Sequence, residues 1–163
     1  MNLVLLVVVV LAQCALHARA QSCSAFVGGV LTIRASVISI PNYFYANCNS
    51  PPLTSVVFET SSQLTSIGYQ TFAYSGLTSI TLRATVTSIG NYGFNGCKVL
   101  TFVSFEAGSQ LTSIGQSAFQ KSTRLTSITI PVSVTSIGNL PFSFYDVYFP
   151  DKTVKASVLF SCT

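Results

Sequence analysis

The chain has 163 residues, 49% of them hydrophobic and only 7% charged, with a formal net charge of +4. That length builds one domain with a real core rather than two. So small and scattered a basic excess excludes a nucleic-acid footprint or an anionic-membrane patch and leaves a surface of Ser, Thr, Asn and Gly.

Residues 1–20 read as a secretory signal peptide. Leu3 to Leu11 is an unbroken apolar run and Ala18-Arg19-Ala20 is a small-x-small cleavage site, which makes Gln21 the expected mature N-terminus. The run is short of the roughly 20 residues a membrane span needs, so no transmembrane segment is expected once it is removed. Its loss takes away Met1, Cys14 and His17, so the remaining chain has no histidine. Serine and cysteine hydrolases pair their nucleophile with a His, and zinc sites need clustered His and Cys; neither pattern is present, and no enzyme, cofactor or metal is expected.

Residues 21–36 are expected to cap the N-terminal end of the fold. From 37 to 150 the chain repeats a phrase in two interleaved series. The first reads Val37-Ile38-Ser39-Ile40, Leu64-Thr65-Ser66-Ile67, Val86-Thr87-Ser88-Ile89, Leu111-Thr112-Ser113-Ile114 and Val134-Thr135-Ser136-Ile137. Its final residues are 27, 22, 25 and 23 positions apart. Pro41 or Gly68, Gly90, Gly115 and Gly138 follow, where glycine is expected to let the chain turn sharply out of a strand. Five positions after each Ile comes an aromatic, Tyr45, Phe72, Phe94, Phe119 or Phe142, expected to fold under the turn and fill the interior.

The second series reads Leu53-Thr54-Ser55-Val56, Leu77-Thr78-Ser79-Ile80, Leu100-Thr101-Phe102-Val103 and Leu125-Thr126-Ser127-Ile128. Each copy continues in apolar alternation, as in Ile80-Thr81-Leu82, the period of a short strand with one buried face. A repeat of 20 to 50 residues marks a solenoid whose units bury their apolar sides only by stacking. About five units, with parallel strands about 4.8 Å apart, give a stub roughly 25 Å long. Residues 151–163 are expected to close the far end as a C-terminal cap.

The stretch from Leu111 through Phe119 and Leu125-Thr126-Ser127-Ile128 to Pro131 resembles the BspA-type leucine-rich repeat, and the resemblance covers about residues 30 to 150. It implies a right-handed leucine-rich-repeat solenoid of short parallel strand ladders and short helical turns, in a secreted or surface protein. It implies non-catalytic adhesion and recognition of a protein or glycan, the identity of which it leaves open. It also implies a concave binding face made by outward residues of the second series: Ser55, Val57, Ser79, Thr81, Phe102, Ser104, Ser127, Thr129, Asp146 and Tyr148. Phe102 stands in a column of serines, and two readings stay open: an interaction anchor, or a ring that leans onto a neighbour.

A structural, self-associating component is the second reading of function, using the exposed ends of the stack. A third takes the ladder Thr65, Thr87, Thr112 and Thr135 as an ice-binding array of hydroxyls.

After signal removal, Cys23, Cys48, Cys97 and Cys162 remain, and an oxidising compartment favours disulfides. Cys48 and Cys97 fall in one column two units apart, about 10 Å, beyond disulfide reach. The family places a buried cysteine in that column, which leaves both open as free thiols. Cys23 with Cys48 is the possible bridge from cap to first unit; Cys162 is left to pair with Cys97, stay free or cross-link two chains. Finally, Arg34, Glu59, Arg83 and Glu106 alternate in sign along one column, as a recognition stripe or, preferably, as a device that sets stacking register.

Overall fold

A computed structural model describes residues 28–48, 50, 52–142 and 147–148. The expected signal peptide, the C-terminal cap, Cys23, Cys162 and Asp146 lie outside the described residues. The chain winds as a solenoid of stacked coils. The first series supplies β2 (Ser39–Ile40), β4 (Ser66–Ile67), β6 (Ser88–Ile89), β8 (Ser113–Ile114) and β10 (Ser136–Ile137), which form one five-stranded parallel sheet in sequence order. The second supplies β3 (Ser55–Phe58), β5 (Ser79–Leu82), β7 (Phe102–Phe105) and β9 (Ile128–Thr129). β1 (Val30–Ile33), inside the segment expected as N-terminal cap, pairs with β3, and β11 (Val147–Tyr148) pairs with β9.

The repeated Thr has a structural cause. In the first series the Thr87 N–H and hydroxyl both donate to the Thr65 carbonyl of the coil before, and Thr112 does the same to Thr87. In the second, Thr78 and Thr101 donate in the same way to Thr54 and Thr78. Each carbonyl thus uses both lone pairs on the next coil's Thr. Ser or Val there would lose either the rotamer restriction or the donor.

The interior is filled by a column of rings. Tyr45, Phe72, Phe94, Phe119 and Phe142 stack with centroids 5.6, 5.3, 5.2 and 5.5 Å apart and planes within 19° of parallel. Above and below them lie the inward residues of both series, such as Ile67, Leu82, Ile89 and Ile114, all essentially inaccessible to solvent.

Two expectations need correction. The aromatic-bearing segments are not helical turns, and no helix occurs among the described residues. Non-glycine residues adopt left-handed φ once or twice per coil there: Tyr43 and Asn47, Gln70 and Tyr74, Tyr92, Ser117 and Lys121. A left-handed residue cannot continue a right-handed helix. What it does is aim alternate N–H groups at the next coil, so that Gln70, Phe72 and Tyr74 donate to Asn91, Gly93 and Asn95. The turns are therefore a third hydrogen-bonded ladder, which offsets the cost of the unfavourable φ.

The glycines after the first-series Ile do not serve by conformational freedom either, since none of them has positive φ. They allow the coils to approach. A Cβ on Gly115 would lie 2.4 Å from the Asn91 nitrogen, and one on Gly138 2.4 Å from the Gln116 nitrogen.

Candidate binding face

Strands β3, β5, β7 and β9 alternate as their period demands: Val56, Ile80, Val103 and Ile128 point inward and are buried. The predicted face residues point outward. Ser79, Thr81, Phe102, Ser127 and Thr129 are exposed, as is Val57, while Ser55 and Ser104 are partly covered. Register aligns Ser79 with Phe102 and Thr81 with Ser104, whose hydroxyls are 2.8 Å apart. The backbone of Tyr148 aligns with Thr129. Phe102 is 59% exposed, so its ring does not enter the core.

The charge column is brought together unevenly. Arg83 Nη1 donates to Glu106 Oε1 at 2.8 Å, and Arg83 Nη2 donates back to the Thr60 carbonyl at 2.6 Å. Glu59 makes no ion pair among the described residues; its carboxylate accepts the Ala35 N–H at 2.7 Å, and Glu106 accepts the corresponding Ala84 N–H at 3.0 Å. Arg34 forms no ion pair among the described residues.

These contacts expose a longer period than the single coil. Arg34-Ala35-Ser36-Val37 matches Arg83-Ala84-Thr85-Val86, and Glu59-Thr60-Ser61-Ser62-Gln63-Leu64 matches Glu106-Ala107-Gly108-Ser109-Gln110-Leu111. In the second type Ser62 and Ser109 accept from the N–H two residues on. Coils come in pairs: Ile40 to Ile89 is 49 residues and Ile67 to Ile114 is 47. The strands agree, because this face is three two-stranded patches, β1 with β3, β5 with β7 and β9 with β11. No strand pairing joins β3 to β5 or β7 to β9. The signal is present in the sequence as the alternation of Arg and Glu coils.

The two seams differ. At the first, Arg83 reaches across to Thr60, and the Thr85 hydroxyl donates to the Leu64 carbonyl at 2.8 Å. At the second, the equivalents are Pro131 and Ser133; proline has nothing to extend, and the buried Ser133 hydroxyl has no partner among the described residues. The second seam is an open cleft of about 440 Å³, with Phe102 and Ser127 at one end and Glu106, Gly108, Pro131 and Val132 at the other.

The hydroxyl protons of Thr65, Thr87, Thr112 and Thr135 all go to carbonyls of the coil before. Cys97 is a buried free thiol that donates to the Phe72 carbonyl, and burial pushes its pKa up to about 11. Cys48 is disulfide-bonded, and its partner, expected at Cys23, lies outside the described residues. On the outer turns Tyr43, Tyr69 and Tyr92 meet edge to face at 5.1 and 5.6 Å, a strip the sequence pattern hides because its members sit at alternating offsets. Burial raises the Tyr69 phenol, and Tyr43 adds to it. The described residues contain no group of three His, Cys, Asp or Glu able to hold a metal ion.

The profile of the BspA type leucine-rich repeat region matches residues 29–147 in six copies. Among solved structures, the chain is similar to the pneumococcal vaccine antigen PcpA at 25% identity and a TM-score of 0.70, over 77% of this chain and 31% of that one. It is similar to a leucine-rich repeat protein from Bacteroides capillosus at 26% identity and a TM-score of 0.52, over 78% of this chain and 81% of the other. One from Bacteroides ovatus, 21% identical over 82% of this chain and 40% of that chain, shares the fold at a TM-score of 0.55. The chain spans about a third of the length of the pneumococcal antigen. No curated protein matches it.

Proposed function

Because the chain belongs to the BspA-type leucine-rich repeat family, we propose that it is a non-catalytic extracellular module for recognition and adhesion, binding a protein or glycan surface through β3, β5, β7 and β9. Members of the family are typically surface-displayed or secreted, and no helix among the described residues is long and apolar enough to cross a membrane. The pneumococcal neighbour is a vaccine antigen, which supports an exposed setting.

The observation that carries the reading is Phe102, a ring 59% exposed among hydroxyls at the rim of a cleft. A single exposed ring is not unusual by itself, but this one stands at the rim of a cleft on the outward strand face, and aromatic anchors dominate binding energy where they occur. Phe102→Ser tests it: binding to immobilised glycans and to extracellular surface proteins should fall at least tenfold with the melting temperature unchanged. Binding that survives the substitution would move the site elsewhere. Size-exclusion chromatography with light scattering should return a monomer; a concentration-dependent oligomer would favour the self-associating alternative.

A further inference from the structure

Beyond residues 1–20 the chain contains no Trp, Met or His, side chains that otherwise share oxidative attack with tyrosine. Cys97 is buried and Cys48 is disulfide-bonded, so among the described residues the accessible oxidisable groups are phenols. Tyr45 is enclosed in the ring column, whereas Tyr43, Tyr69, Tyr74 and Tyr92 reach solvent. Of these, Tyr43 and Tyr69 are held together from both sides. The Tyr43 N–H donates to the Tyr69 carbonyl at 2.8 Å, and the Tyr69 N–H donates to Asn42 Oδ1 at 2.7 Å. Their ring centroids lie 5.1 Å apart with planes at 63°. Tyr69 and Tyr92 have no main-chain hydrogen bond between them and lie at 5.6 Å, and Tyr74 meets no tyrosine ring among the described residues. The phenols of the first pair also sense each other, since Tyr43 adds to the upward push that burial gives the Tyr69 pKa.

We propose that Tyr43 and Tyr69 are a modification site, joined ring to ring as a dityrosine by a haem peroxidase acting with hydrogen peroxide. Each phenol gives up one electron and one proton, and the two phenoxyl radicals couple ortho carbon to ortho carbon. The displaced ortho hydrogens move to the oxygens and restore both phenols. Two hydrogen atoms leave in all, and the peroxide takes them up as it is reduced to two waters. Free phenoxyls must wait for an encounter, but here the coils keep the rings adjacent, so coupling within the chain outruns coupling between chains. The new bond staples the first coil to the second, where the first-series spacing is widest at 27 residues, and restricts the unfolded chain as other cross-links do. The pair sits on the outer turns, apart from β3, β5, β7 and β9, and stands or falls independently of the recognition reading.

The test treats the folded chain with a haem peroxidase and hydrogen peroxide, then reads intact mass and, after reduction and cleavage at Arg and Glu, the joined peptides. The expected product is a monomer lighter by two hydrogen atoms, in which the peptide ending at Glu59 is linked to the one beginning at Thr60. Its yield per chain should not change over a tenfold dilution. Tyr43→Phe and Tyr69→Phe should each lower that yield at least tenfold with unchanged circular-dichroism melts, while Tyr92→Phe keeps at least half of it. Oxidation of the urea-unfolded chain should lose the monomer product as well. Tyrosine coupling found only in dimers, a yield that falls in proportion to dilution, a link that survives Tyr43→Phe, or an equal yield in urea would each overturn the proposal.

Discussion

The same four-residue phrase builds two faces that behave differently. On the first-series face, five strands of two residues run unbroken from β2 to β10, with glycines against the coil before and stacked rings beneath. On the second, longer strands of up to four residues pair only two at a time. Strand length therefore does not decide continuity here. The first face is held by backbone approach that tolerates no added atom. The second leaves seams: at the closed one Thr78, Arg83 and Thr85 all reach back to the coil before, and at the open one Pro131 stands in the place of Arg83. Stiffness is concentrated on one side of the stack and access on the other.

The largest contrast should come from placing a charge on each face. Ile89→Asp buries a carboxylate between coils and should abolish cooperative melting, while Ser79→Asp, which points outward, should change stability by less than about 0.5 kcal/mol. Circular-dichroism melts decide it, and a folded Ile89→Asp chain would refute the stacking register. Next is Gly115→Ala, where the new Cβ meets backbone that cannot yield; a loss of about 2–3 kcal/mol is expected by denaturant unfolding, with a wild-type midpoint counting against close approach.

Alkaline pH should also separate the faces, because the titrating core thiol belongs to the interior. Cys97 has its pKa raised from 9.0 to about 11, so the folded state holds the proton more tightly. Stability is full below pH 9 and declines as pH climbs toward 11, by roughly 2–3 kcal/mol. Cys97→Ser should flatten that slope in unfolding curves taken across the range. The smallest effect lies at the outer edge of the second face. Glu106→Gln loses an ion pair and should cost up to about 1 kcal/mol at low salt and less at high salt, whereas Glu59→Gln, whose amide oxygen can still accept the Ala35 N–H and which breaks no ion pair among the described residues, should show no such salt dependence.

Much of this was legible in residue order alone. The two series, the aromatic column and the outward row from Ser55 to Thr129 follow from period-two alternation and repeat spacing, because each position in a solenoid has one neighbour above and one below. What periodicity could not supply was conformation that depends on the neighbouring coil. The left-handed Tyr43, Gln70 and Tyr92 carry no residue signature, since the inter-coil ladder and not local preference selects them. Gly115 reads identically whether it serves φ or proximity. The open seam follows from Pro131 standing where Arg83 stands two coils earlier and from a Ser133 hydroxyl with no partner among the described residues, a difference visible only once the pairs of coils are seen as units.

Those pairs have a mechanical consequence. A chain stretched from its ends yields where ties across the stack are fewest, and here they are fewest between pairs. Single-molecule extension should release length in steps of two coils, beginning at the seam that has neither guanidinium nor hydroxyl across it.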